Sequence, residues 1–397
     1  MKKLFRKCPI CSETEGEILY SMKFNLIDNA ILPDQFDVVV CANCGFVFND
    51  SPATQEDYNR HYSGNSIYES TNLKGLGGII DNNKFEEIFE RINPFLSKNI
   101  SIVDIGCAQG GMLNVLKEKG YSNLHGMDLS SANLEKLKKQ GIIPWNNSIC
   151  DVNNIEQKFD FVILSHILEH VCDLNIAVCN LKKILNNNGC VYIEVPNANK
   201  YAEYYPEAPF HFFNIEHINH FDLNSLANLV EPRGFKFIKT FETDTIVDAT
   251  IRYPVVGIIL ENIIPSAIAR NFSKCGCKDN IIAYIKRCSN DMNRINKIFS
   301  DIQISNNDVI VWGAGNYAQW LIKNSLLGSC NIKFFVDKAF DKHGSFVEDF
   351  EVKSVDVLLD DRYNNENTTI IITAAVYKYE IQDEIKKMNL KCLNYII

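Results

Sequence analysis

The sequence predicts an α/β protein: a doubly wound domain with a mostly parallel sheet, preceded by a cysteine-bearing module and followed by a second, smaller doubly wound domain. Three observations predict it. Apolar runs at 101–105, 123–127, 159–164 and 190–195 alternate with helix-period segments at 111–119, 131–139 and 174–185, the pattern of parallel strands covered on both faces. The alternation returns with strands at 308–312, 332–336, 369–373 and 392–396 and helices at 316–326 and 378–388. Two Cys-x-x-Cys pairs stand near the N-terminus. The implied division is 1–65 for the cysteine module, 75–245 for the central domain, 246–305 for a mostly helical linker, and 306–397 for the last domain.

Composition narrows the function classes. The 397 residues carry a formal charge of -9, with 46% hydrophobic and 22% charged side chains. An acidic chain lacks the basic stripe of a nucleic-acid binder. The longest apolar stretch, Pro254 to Ala269, contains Glu261 and Pro265 and is too short to span a bilayer. With no signal-like segment after Met1-Lys2-Lys3, a cytoplasmic protein is expected, and its 14 cysteines are expected to be reduced thiols or metal ligands.

Taken in order, Cys8-Pro9-Ile10-Cys11 and Cys41-Ala42-Asn43-Cys44-Gly45 read as two knuckles whose four thiolates make a tetrahedral structural zinc site. Four protein sulfurs leave no open position for catalysis. Cys275-Gly276-Cys277 lacks a second pair and reads as a loop.

The central domain opens with Ile102-Val103-Asp104-Ile105-Gly106-Cys107-Ala108-Gln109-Gly110-Gly111, a strand running into a glycine-rich turn and a helix. Such turns hold nucleotide cofactors, because the glycines let the backbone approach the ligand. Asp104 before the first glycine would repel a pyrophosphate, and the Gly106-x-x-x-Gly110 spacing is not the dinucleotide one. Both features favour S-adenosylmethionine over a dinucleotide. Asp128, ending the next strand, is placed to accept hydrogen bonds from a ribose. Asn186-Asn187-Asn188-Gly189 is a helix stop and turn.

The third strand leads into Ser165-His166-Ile167-Leu168-Glu169-His170-Val171, and with the residues above this is similar to the class I S-adenosylmethionine methyltransferases over roughly 80–245. The resemblance implies a Rossmann-like methyltransferase domain. Asp104 and the Gly106–Gly110 turn, Cys107 included, would hold the methionine portion, Asp128 the ribose, Asp151 the neighbourhood of the adenine, and Ser165 and His166 the wall beside the sulfonium. Asp151 equally reads as a turn cap, His170 as a packed helix histidine and Cys107 as packing.

Beyond the fourth strand, Phe210-His211-Phe212-Phe213-Asn214-Ile215-Glu216-His217-Ile218-Asn219-His220-Phe221 concentrates acid–base groups among aromatics. Loops at the carboxyl edge of a parallel sheet bind substrate, and a histidine beside a carboxylate suits proton removal near neutral pH. A cover loop that only packs the sheet is the plainer reading.

Across nearly its whole length the chain resembles the zinc-containing C-methyltransferases of nucleotide-linked keto-deoxysugars, which share a cysteine-rich module, a class I domain and a C-terminal Rossmann-like domain. The resemblance implies that Glu216 and His217 supply the base that removes a proton beside a ketone. It also implies that His170 and Asn214 contact substrate oxygen, and Arg252 stands where the family carries an arginine. Asn214 replaces the family's tyrosine, the family's glycine-glycine-serine turn is absent, and its tyrosine-serine segment survives only as His61-Tyr62-Ser63-Gly64.

In the last domain Trp312-Gly313-Ala314-Gly315-Asn316-Tyr317-Ala318 repeats a strand–turn–helix, with Asp337 ending the next strand. One mononucleotide-type half is too little to bind NAD fully. The turn reads either as a cradle for the substrate's nucleotide or as a structural brace. The combined expectation is an S-adenosylmethionine-dependent methyltransferase acting on a small molecule, a nucleotide-linked sugar, methylated at the carbon next to a ketone in surface-glycan or deoxysugar biosynthesis. The rivals are an O-methyltransferase, an NAD-linked oxidoreductase and a non-catalytic scaffold.

Overall fold

The computed structural model describes residues 1–28, 30–64, 79–204, 208–246, 252–263 and 273–397. They form two compact units. The first comprises Met1–Leu19, Val39–Tyr204 and Glu216–Ile281, the second Tyr20–Val38, Tyr205–Ile215 and Ile282–Ile397.

The chain opens with β1 (Lys2–Lys3), β2 (Glu15–Lys23), β3 (Gln35–Cys41), β4 (Val47–Asp50), α1 (Gln55–Gly64) and α2 (Ile79–Ile92). The first unit continues with β5 (Ile102–Ile105), α3 (Gly111–Glu118), β6 (Leu124–Asp128), α4 (Ser131–Lys139), β7 (Ile143–Asn146), β8 (Phe159–Ser165), α5 (Leu174–Ile184) and β9 (Leu185–Pro196). It then adds β10 (Asn219–His220), α6 (Leu223–Val230), β11 (Phe235–Ile246) and β12 (Arg252–Asn262). Its main sheet has seven strands in the order β11-β12-β9-β8-β5-β6-β7. β7, β6, β5, β8 and β9 pair in parallel, whereas β12 runs antiparallel to both neighbours.

Alternate residues of each strand enter opposite cores, which is why these strands read as unbroken apolar runs. Ile102, Phe161 and Ile163 pack with Ile88 and Ile92 of α2, Leu113 and Leu116 of α3 and Leu137 of α4. Val103, Val162, Leu164 and Ile193 pack with Val178 and Leu181 of α5 and Leu226 of α6. Because the chain leaves β5 for β6 and β7 on one side and returns to β8 and β9 on the other, the strand order reverses between β5 and β8. Ligands of open α/β sheets lie outside the carboxyl ends at such a switch point.

Two expectations are corrected. The cysteine region does not separate at residue 65, because Leu4, Phe46 and Phe48 join the same core as Val162 and Leu164. The segment 246–305 is not helical throughout: beside the helix Lys278–Ser305, Arg252–Asn262 is the strand β12, pairing Val255 with Pro196 and Ile258 with Ile193. Residues 247–251 and 264–272 of that segment lie outside the described ones.

After α7 (Lys278–Ser305), the second unit builds β13 (Asp308–Trp312), α8 (Asn316–Asn324), β14 (Ile332–Val336), β15 (Phe346–Val347), β16 (Phe350–Lys353), β17 (Thr368–Ile372), α9 (Lys378–Lys387) and β18 (Leu393–Ile396). The sheet order is β15-β16-β14-β13-β17-β18, parallel except for β15. Ile310, Phe334 and Ile370 pack against Ile381 and Ile385 of α9. Among the described residues no helix is long and apolar enough to cross a membrane.

Candidate active site

The turn after β5 is held by the end of β6. The amides of Gly106 and Cys107 donate to the Met127 carbonyl at 2.7 and 3.2 Å, and the Ala108 amide donates to Asp128 Oδ2 at 2.9 Å. Asp128 Oδ1 accepts from the Ser130 amide at 2.8 Å, and Ser130 caps α4. Gly106 at φ +69° and Gly110 at φ +82° take left-handed backbone, and a Cβ on Gly106 would lie 2.1 Å from the Ile167 side chain. Cys107 is buried within this turn.

Asp104 is buried at the end of β5. Burial, then the nearby charge of Asp128, pushes its carboxyl up to about 8 despite the opposing pull of Lys84. Such a carboxyl is short of positive charge, and an amino-acid ammonium group would supply it. Asp104, the 106–110 turn and Asp128 therefore fit an S-adenosylmethionine cradle. Asp151 takes the plainer of its two readings: it is exposed and caps a turn, accepting from the Asn153 amide at 3.4 Å and the Asn153 side chain at 3.2 Å.

At the end of β8, Ser165 is followed by His166 with φ +57°. The amide of His166 donates to the Glu194 carbonyl at 2.8 Å, and its ring lies between two buried carboxylates. Nδ1 meets Glu169 Oε1 at 3.1 Å, and Nε2 lies 3.6 Å from Glu194 Oε1. Burial and Lys84 oppose charge on His166, but the bonds to Glu169 and Glu194 outweigh them and raise its pKa. Glu194 also receives Arg91 Nη1 at 2.5 Å and the Tyr192 hydroxyl at 2.8 Å. Burial works against the Glu169 carboxylate, yet His166, with His170 and His217, holds its pKa down to about 2.

The short turn Leu168–His170 is stitched to the segment that follows residue 215. The Ile218 amide donates to the Glu169 carbonyl at 2.8 Å, and the Asn219 side-chain amide donates to the carbonyls of Leu168 and Val171, both at 2.8 Å. Arg6 adds bonds to the Cys172 carbonyl at 2.7 Å and Asn219 Oδ1 at 2.9 Å. These bonds bring His217 edge-on to His170, with ring centroids 4.8 Å apart at 82°. Glu216 pairs with His61 Nε2 at 3.0 Å, and Tyr62 Oη meets His170 Nδ1 at 2.9 Å. The bond to His61 and the nearby His170 and His217 overcome burial and lower the Glu216 pKa.

The structure thus gathers Glu216, His217 and His170, and adds His61, Tyr62, Glu169, Glu194 and Arg91, which the sequence did not single out. The resemblance that picked out His61-Tyr62-Ser63-Gly64 was the available signal for the first two. The histidine-rich loop is not one element. His220 is buried in β10, bonded to Asn49 at 3.1 Å, and burial holds its pKa down to about 3. Asn214 falls in the second unit, where its amide donates to the His211 carbonyl at 3.3 Å. Arg252, at the start of β12, is bound by Asp244 and Glu87.

The four N-terminal cysteines converge. Cys8 and Cys44 sulfurs lie 3.6 Å apart, Cys11 and Cys41 sulfurs 3.5 Å, and all four within 4.8 Å of one another. Zinc–sulfur bonds of about 2.3 Å in a tetrahedron put sulfurs about 3.8 Å apart, so this set fits a zinc ion. The Cys275 amide donates to the Cys44 carbonyl at 2.9 Å, which places the supposed loop cysteine against the knuckle.

In the second unit the turn after β13 repeats the first unit's device. The Ala314 amide donates to Asp337 Oδ2 and the Ala339 amide to Oδ1, both at 2.9 Å, and Lys342 Nζ lies 2.9 Å from Oδ2. Burial opposes the Asp337 charge, but Lys342 and these amides lower its pKa.

Residues 80–240 match the family model described as Methyltransferase domain. The chain is similar to the ubiquinone biosynthesis O-methyltransferase of Pelagibacter ubique strain HTCC1062, with 30% identity over 105 residues, covering 25% of this chain and 43% of that protein. Its likeness to the enzyme of the same name from Rickettsia akari strain Hartford is 27% over 136 residues, covering 32% and 54%. The chain spans about half the length of the curated relatives it matches. Among solved structures it is similar to an S-adenosylmethionine-dependent methyltransferase from Methanosarcina mazei, at TM-score 0.39 and 17% identity, covering 44% of this chain and 98% of that one.

Proposed function

We propose that this protein transfers the methyl group of S-adenosylmethionine to a nucleotide-activated sugar, at the carbon beside a ketone, in the making of a surface glycan or modified deoxysugar. The observation that carries this reading is the gathering of Glu216, His217, His170 and Tyr62 at the turn that follows β8, on the switch-point edge that also holds Asp104 and the glycine turn. His217 takes the acceptor's proton. Tyr62 and His170 offer hydrogen-bonding groups to the oxygen on which charge develops, and Glu216 keeps the histidine cluster supplied with negative charge.

The test omits the methyl donor. In deuterated water the wild-type protein exchanges the proton beside the carbonyl of a keto-sugar nucleotide, and His217→Ala slows that exchange by about 100-fold or more. No exchange by the folded wild-type protein overturns the C-methylation reading. It would favour transfer to a hydroxyl, the second reading, which the likeness to ubiquinone biosynthesis O-methyltransferases supports.

The cysteine site is proposed to hold one structural Zn2+. Because Phe46 and Phe48 share the core of the central sheet, chelation should lower the melting temperature of the whole first unit rather than release a local knuckle. Calorimetry before and after zinc removal checks this; an unchanged transition refutes it.

A further inference from the structure

One carboxylate in the site is unexplained by the proton-transfer reading. Glu169 is 1% exposed. Its Oε1 takes the His166 bond, while Oε2 is buried without a hydrogen-bond partner among the described residues. An unmatched charged oxygen in such a place is costly unless a cation or donor arrives to meet it. Ligand atoms of Glu169, His170 and His217 lie within 4.8 Å of one another. The surroundings have the form that metal ligands need. The Glu216 carbonyl, 3.1 Å from His170 Nδ1, and the Tyr62 hydroxyl engage that nitrogen and leave Nε2 to donate its lone pair. His166 orients the carboxylate through its other oxygen, as outer partners of metal-bound imidazoles and carboxylates do.

We infer that Glu169, His170 and His217 form a second metal site, which takes a first-row divalent cation through two imidazoles and one carboxylate. Three protein ligands leave coordination positions open. The site itself stands on the geometry alone; its chemical role rests on the acceptor reading above. There the acceptor's keto oxygen occupies an open position, and the proton on the neighbouring carbon passes to a metal-bound hydroxide, giving water. The carbon's electron pair forms the new bond to methyl, and the pair of the broken carbon–sulfur bond stays on sulfur. With the metal bound, His217 serves proton removal through the hydroxide it helps to hold; in the metal-free protein it takes the proton itself, as above.

The experiment needs neither methyl donor nor acceptor. Untagged full-length protein is equilibrated with excess Zn2+ or Co2+, desalted, and its metal counted by mass spectrometry. Two equivalents per chain are expected. Glu169→Gln and His217→Ala should each bring the count to one while the cobalt–thiolate absorption of the cysteine site persists. One equivalent in the wild type, or two in both variants, overturns the assignment. Should a variant fail to fold, Cu2+-loaded wild-type protein decides: splitting from two imidazole nitrogens in its electron paramagnetic resonance spectrum supports the site, and its absence refutes it. A full metal count in protein that shows no keto-sugar exchange would leave the site standing and remove only its assigned role.

Discussion

Asp104→Asn should stabilise the ligand-free protein while weakening its hold on S-adenosylmethionine. The folded carboxyl titrates near 8 and the ordinary value is 3.8. Between those values the folded state keeps a proton that the unfolded chain has released, so stability falls as pH rises through this window and the full cost is present above it. Asparagine removes that cost, and the gain in melting temperature should be larger at pH 8 than at pH 5. The ligand's ammonium group needs the ionised carboxylate, so its loss should cost about 2 to 3 kcal/mol, or roughly 30- to 150-fold in affinity. Titration calorimetry of the wild type near pH 7 should register proton release on binding, and the variant should not. Equal affinity in the two proteins would remove Asp104 from the cofactor site.

Glu194→Gln should have the largest effect on stability. Glu194 is fully buried and bonded to Arg91, with His166 and Tyr192 on its other approaches. Removing one partner of a buried pair strands the other's charge, at about 3 to 5 kcal/mol. For a unit of this size that lowers the melting temperature by about 10 °C. Burial opposes the Glu194 charge, but His166 and Arg91 lower its pKa, as His166 does for Glu169 to about 2. The stabilisation from these two carboxylates is complete above the ordinary value of 4.5 and is lost as pH falls below it. Denaturant unfolding at neutral pH and at pH 3 measures both statements; a loss under about 1 kcal/mol for Glu194→Gln would contradict the first.

Legibility in the sequence followed burial geometry. Strands buried on both faces, such as Phe159–Ser165 and Asp308–Trp312, announced themselves as short apolar runs before turns. Arg252–Asn262 is equally apolar but does not stand out as a strand within a linker read as mostly helical, because an unbroken run carries no period. Its β-branched Val255, Val256, Ile258 and Ile259 were the usable sign. Ile143–Asn146 is a half-exposed edge strand with little hydrophobic signal. The cofactor turn was readable because its function is local to ten residues. The ion pairs were not: Arg91 and Glu194 are 103 positions apart, and His61 and Glu216 are 155 apart, so only the folded chain joins them.

The way the backbone threads the two units governs how the molecule can be dissected. Residues 20–38 and 205–215 are excursions from the first unit into the second. A fragment trimmed to 75–245 would discard β12, baring the flank of β9 at Val191, Ile193 and Val195, and would lose Leu4, Phe46 and Phe48 from beneath the sheet. The seven-stranded half of this chain is therefore not a detachable cassette: evolution or an engineer who wishes to transplant it must carry the cysteine-bearing N-terminal segment and the antiparallel strand along.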